Sequence, residues 1–97
     1  MFGMSESEYD FILKSFVLPL KNKNLKVYFF GSRARGENKK YSDLDILLVN
    51  VGSQRTLVSE LIEQIELSNF PYKIDVVFDE DLAESYRTNV ESDMKEV

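Results

Sequence analysis

Between Phe29 and Val49 the chain reads FFGSRARGENKKYSDLDILLV, and no other stretch restricts the possible fold so sharply. An apolar, strand-like run from Leu25 to Phe30 stops at Gly31-Ser32. A second run, Ile46 to Val49, starts directly behind Asp43 and Asp45. Successive side chains of a strand point to opposite faces, so Asp43 and Asp45 leave the chain on the same side. Two carboxylates placed this way repel each other by on the order of a few kcal/mol at the effective dielectric of a protein surface. A cation between them removes the conflict. Carboxylate oxygens are hard donors, so the expected guest is Mg²⁺ or a close relative.

The rest of the composition narrows the class. A length of 97 residues is that of one small domain, read here as residues 1–97, with too little chain for a second core. A net charge of −5 argues against extended binding to a nucleic-acid backbone, which needs a basic surface. There is no cysteine and no histidine, so thiolate sites are excluded and metal or base chemistry falls to carboxylates. The opening MFGMSESEYD lacks the basic-then-apolar layout of a signal peptide, and no apolar run approaches the roughly 20 residues of a membrane helix. The expectation is a cytoplasmic protein with no membrane partner.

Taken in order, Ser5-x-x-Glu8 reads as a capping box opening a helix whose apolar face is Tyr9, Ile12, Leu13, Phe16 and Leu20. Pro19 is expected to end or kink it. Residues 25–30 form a first strand, apolar on both faces at Val27 to Phe30, as in a sheet covered on both sides. Ser32 starts a short helical turn, residues 36–42 form a loop, and a second strand runs from about Leu44 to Val49. A helix carrying Leu57, Val58, Leu61, Ile62 and Ile65 follows, with Asn69 expected as a left-handed cap and Pro71 as a stop. A third strand covers Tyr72 to Phe78. Asp81 to Glu84 then opens a last helix, with Leu82, Tyr86, Val90 and Met94 at steps of four and Tyr86 and Met94 read as core.

The spacing Gly31-Ser32, ten residues, Asp43-Leu44-Asp45 resembles the signature of the minimal nucleotidyltransferase family, in the DNA polymerase β-like superfamily. That superfamily adds a third carboxylate on a later strand, and Asp75 in YKIDVVF, residues 72–78, matches it. The resemblance covers essentially the whole chain. It implies an α/β protein of the α+β type: a small three-stranded mixed sheet flanked by about four helices.

The resemblance also implies transfer of a nucleoside monophosphate from a triphosphate such as ATP to a hydroxyl, with two Mg²⁺ ions. Asp43 and Asp45 are assigned as ligands of both ions. Asp75 is implied to bind the ion nearest the acceptor and help take its proton. The plainer readings make Asp43 a turn or cap residue and Asp75 a solvated strand position. Gly31 and Ser32 are read as a cradle for the β- and γ-phosphates, or as an ordinary strand-to-helix turn. Arg33 and Arg35, with Lys39 and Lys40, are read either as a clamp on the triphosphate or as loop residues paired structurally. Tyr41 is read either as a stacking surface for a base or, by preference, as loop packing.

Larger relatives carry a helical domain that presents the acceptor, and this chain is expected to rely on a partner instead. By resemblance that partner is a small helical HEPN-type protein, a ribonuclease toxin modified on tyrosine, with this chain as its antitoxin. Two alternatives are transfer to a small hydroxylated molecule such as an aminoglycoside, and neutralisation of a partner without catalysis.

Overall fold

In the computed structural model, which describes residues 1–97, the Ser5 hydroxyl accepts from the Glu8 amide at 3.2 Å. The Glu8 carboxylate in turn accepts from the Ser5 amide at 2.8 Å. This reciprocal box satisfies two amides that a helix start otherwise leaves without partners. Ser5→Ala is expected to cost about 1 kcal/mol, seen as a lower urea midpoint with an unchanged slope.

Helix α1 covers residues 6–21 in three parts: Glu6–Ile12, a π-helical turn at Leu13–Val17, and Leu18–Lys21. The helix does not end at Pro19 but runs on to Lys21 behind the π-turn. Proline has no N–H to donate, and its ring crowds the carbonyl four residues back in a regular α-helix. The wider turn ahead of it, where the Leu18 amide reaches the Leu13 carbonyl, makes room.

Strands β1 (Lys26–Phe30), β2 (Leu44–Val49), β3 (Ile74–Phe78) and β4 (Lys95–Glu96) form one mixed sheet in the order β3-β2-β1-β4. β1 is antiparallel to both β2 and β4, while β2 and β3 are parallel. The α+β class is as expected, but the sheet has a fourth strand. Its residues are polar and carry no strand pattern; backbone pairing with Tyr28 and Phe29 places them.

Val27, Phe29, Leu44, Ile46 and Leu48 bury one sheet face against Ile12, Phe16, Val17 and Leu20 of α1 and Val58, Leu61 and Ile65 of α3 (Arg55–Glu66). The other face is less covered than the sequence suggests. Leu47 is buried there, Tyr28, Phe30, Asp45 and Val77 are partly open, and Asp75 is exposed. Two short helices attend the sheet at this end, α2 (Gly31–Arg35) and α4 (Glu84–Asp93).

The C-terminal third departs most from expectation. Residues Asp79–Asp81 make a 3₁₀ turn, so α4 starts at Glu84, leaving Leu82 ahead of the helix and Met94 behind it. Tyr86 is 64% exposed instead of core, and Val90 is the buried residue of α4. Its neighbours are too polar to bury a continuous face. Asn69 is not left-handed either: α3 is capped by Leu67 in the right-handed region, and the left-handed asparagines are Asn24 and Asn50. No helix is long and apolar enough to cross a membrane.

Candidate active site

Strand register assembles the site. Phe30 pairs with Asp45 across the antiparallel β1–β2 ladder, and Asp45 pairs with Asp75 across the parallel β2–β3 ladder. Gly31, the next residue after Phe30, is thereby delivered onto the Asp45 carboxylate. A Cβ built at Gly31 would lie 2.1 Å from Asp45 Oδ2, and the φ of +74° is left-handed. Only glycine meets both conditions without displacing something. Ser32 follows as the second residue of α2, partly buried.

Asp45 is partly buried, whereas Asp43, just ahead of β2, and Asp75, within β3, are exposed. Burial raises the Asp45 carboxyl above its ordinary range, and the charges of Asp75 and Asp43 push the same way; Arg35 opposes them. None of these three carboxylates takes part in an ion pair, although lysine and arginine pair with acids elsewhere in the chain. The trio is a patch of negative charge with no ion pair of its own, although the Arg35 charge bears on Asp45.

Convergence of the three is only partial. No three acid side chains of the chain stand close enough together to hold a metal ion as they are. Asp45 and Asp75 share a register position, and Asp43 stands one step outside the strand, so the arrangement is open rather than a closed cage. Its donor chemistry nonetheless fits a hard divalent cation: carboxylates alone, one of them raised by burial and then by its acidic neighbours, and none of them in an ion pair.

The arginines separate. Residues two apart on a helix lie roughly 200° apart around it, so Arg33 and Arg35 cannot face one ligand together. Arg33 points inward and is 1% exposed. Its Nε and Nη2 donate to the Ser42 carbonyl, Nη1 donates to the Phe2 carbonyl, and its guanidinium lies over the Tyr72 ring. A phosphate cannot reach it in this conformation, so it serves the structural pairing, with carbonyls in place of a carboxylate. Arg35 is exposed, and its Nη1 pairs with Asp93 at 2.7 Å and its Nε with Glu37 at 3.1 Å. Asp93 first, then Glu37, raises its pKa. Lys39, Lys40 and Tyr41 are all exposed, with Lys40 over the Tyr41 ring at 5.3 Å, so Tyr41 does not pack inward.

Sequence reasoning gave Glu8 only its capping-box role and Tyr72 only a strand position, and passed over Phe2 and Asp93. The i, i+2 spacing of the two arginines was the available signal, since it sends them to different sides of the turn.

A Gly-Ser turn seated on a carboxylate of an Asp-x-Asp strand, with an acid on the next strand, defines a nucleotidyl-transfer type of fold. The family model for the nucleotidyltransferase domain matches residues 12–97, and the chain belongs to that family. Among solved structures it is similar to a toxin–antitoxin crystal structure with AMP-PNP: 20% identity, TM-score 0.65, covering 86% of this chain and 69% of that one. At that identity the likeness shows the fold. A candidate nucleotidyltransferase from Sulfolobus solfataricus is 21% identical over 97% of this chain and 88% of that one, with a TM-score of 0.44 that supports nothing further. A search of curated proteins gave no match to the chain.

Proposed function

We propose that this nucleotidyltransferase-family chain transfers AMP from ATP to a hydroxyl of a protein partner and acts as the antitoxin of a two-component pair. The observation that carries the transfer reading is the register that sets Gly31 on Asp45 and Asp45 beside Asp75. The likeness to a toxin–antitoxin structure with AMP-PNP favours a protein partner, and the resemblance of the signature to minimal nucleotidyltransferases makes a small helical HEPN-type protein, modified on tyrosine, the preferred one.

Asp43, Asp45 and Asp75 would hold two Mg²⁺ ions. Bound there, the ions would supply positive charge to offset that of the triphosphate and of the departing pyrophosphate, and would lower the pKa of an acceptor hydroxyl. The Ser32 hydroxyl donates to a phosphate oxygen, and the Gly31 backbone, bare of a side chain, lets the anion approach. Arg35, released from Asp93, offers its guanidinium to the same oxygens. Asp75, exposed at the rim, receives the proton of the incoming hydroxyl. The new bond joins the acceptor oxygen to the α-phosphorus, and the α–β bridging oxygen leaves with pyrophosphate.

Incubation with ATP labelled at the α-phosphate, Mg²⁺ and candidate acceptors tests the proposal. Label on a tyrosine of a helical partner protein is expected. Label on an aminoglycoside-like molecule instead would move the chain to a small-molecule transferase. Tight partner binding with no label anywhere would make it a non-catalytic neutraliser.

A further inference from the structure

Arg33 is buried and enters no ion pair, an arrangement that is costly unless every donor is used. Nε and Nη2 reach the Ser42 carbonyl at 3.0 and 2.9 Å, and Nη1 reaches the Phe2 carbonyl at 2.9 Å. The guanidinium carbon lies 3.9 Å from the centre of the Tyr72 ring. Beyond that ring the Tyr72 hydroxyl donates to the Glu8 carboxylate at 3.0 Å, the same oxygen that closes the capping box.

These contacts fall on the segments that bear the acids. The Ser42 carbonyl belongs to the peptide plane that leads into Asp43. Asp43 itself lies outside the sheet, and the first ladder bond after it is the Leu44 amide to the Lys73 carbonyl at 2.8 Å. Asp45, by contrast, sits inside the ladder with a strand on each side. Asp43 therefore depends on whatever grips the peptide before it, and a two-pronged guanidinium contact fixes that plane where a single donor would leave it free to turn. Tyr72 leads into β3 three residues ahead of Asp75, and Ser32 is the residue before Arg33.

We infer that Arg33 is a positioning residue: its buried guanidinium sets the place of Asp43, and through Tyr72 that of the entry to the Asp75 strand, relative to Asp45. The inference rests on the reading of Asp43, Asp45 and Asp75 as ion ligands. It assigns Arg33 no contact with nucleotide.

Mn²⁺ titration by calorimetry, with free ion followed by electron paramagnetic resonance, tests it on wild type, Arg33→Lys and Asp45→Asn, each checked for fold by circular dichroism. Lysine brings one ammonium to a two-pronged contact. Arg33→Lys is expected to stay folded and to bind Mn²⁺ about 10–100-fold more weakly, the range for groups that orient metal ligands. At a temperature where circular dichroism shows the metal-free variant fully folded, its transfer activity should recover as metal concentration is raised, with kcat near that of wild type. Wild-type Mn²⁺ affinity in Arg33→Lys overturns the positioning role. Should that variant unfold, Tyr72→Leu removes the ring and leaves the carbonyl contacts; weakened Mn²⁺ binding supports the role, and unchanged binding overturns its branch through Tyr72. If wild type takes up no Mn²⁺, or Asp45→Asn binds it equally well, the ion-site reading fails first and this inference goes with it.

Discussion

Asparagine in place of Asp45 is expected to lower kcat by at least about 10³-fold while raising the melting temperature of the metal-free protein. The first number follows from what single electrostatic groups contribute: removing one donor at a transition-state oxyanion costs about 10²–10³-fold, and a charged ligand of the reacting ions should matter no less. The second follows from the raised carboxyl of Asp45, whose burial and acidic neighbours penalise the charged form. A group whose folded pKa lies above its unfolded value adds stability that is full below the unfolded pKa, near 3.9 for aspartate, and is lost as pH rises through the folded value. At neutral pH the ionised side chain therefore burdens the fold. Asparagine keeps the shape and drops the charge. Because solvent reaches the carboxylate, the relief is set at about 0.5 kcal/mol, or about 2–4 °C in a domain of this size. Calorimetry at pH 7 should show the gap and at about pH 3.5 should show it closed. Mg²⁺ should then reverse the order at pH 7, since only the protein that binds the ion gains from it. Full transfer by the asparagine variant, or a lower metal-free melting temperature at pH 7, contradicts the assignment.

Different parts of this molecule were readable from the chain for different reasons. The strand-turn-strand around Gly31 and Asp45 was legible because apolar runs and the Gly-Ser to Asp-x-Asp spacing are local properties. The register that sets Gly31 on the Asp45 carboxylate is not local: it depends on how β1 and β2 pair after the intervening loop. Arg33 shows the same limit. Its partners, the Ser42 and Phe2 carbonyls and the Tyr72 ring, are distant in sequence, and the carbonyls present no side-chain signal at all. Tyr86 fails differently: steps of four marked an apolar stripe, but α4 is so polar that the stripe had no continuous face to join, and the ring stays in solvent. At Pro19 the rule about helix breaking met a local alternative, the π-turn, that keeps the chain helical. β4 was missed because pairing to an open edge needs only backbone.

Gly31→Ala should separate fold from chemistry most clearly. Alanine at a φ of +74° costs about 1–2 kcal/mol, because Cβ meets the carbonyl oxygen in that region. For a domain of this length the midpoint should fall on the order of 10 °C, leaving a folded protein at room temperature. The same methyl would sit 2.1 Å from Asp45 Oδ2, 3.0 Å from its Cγ and 3.3 Å from its Cβ. The first contact can be relieved by turning the carboxylate, the tip of the side chain, but the other two lie nearer the strand and leave little freedom in which direction it turns. Asp45 must therefore swing away from Gly31. A displacement of about 1 Å at a reacting centre costs about 10²-fold in rate, so kcat/KM should drop by at least that much at temperatures where circular dichroism still reports the native fold. Mn²⁺ affinity should weaken in parallel, since the turned carboxylate is a ligand. A Gly31→Ala protein that melts lower yet transfers nucleotide at the wild-type rate would show that the Asp45 carboxylate is not held in its working position by the glycine, and the register argument for this site would lose its footing.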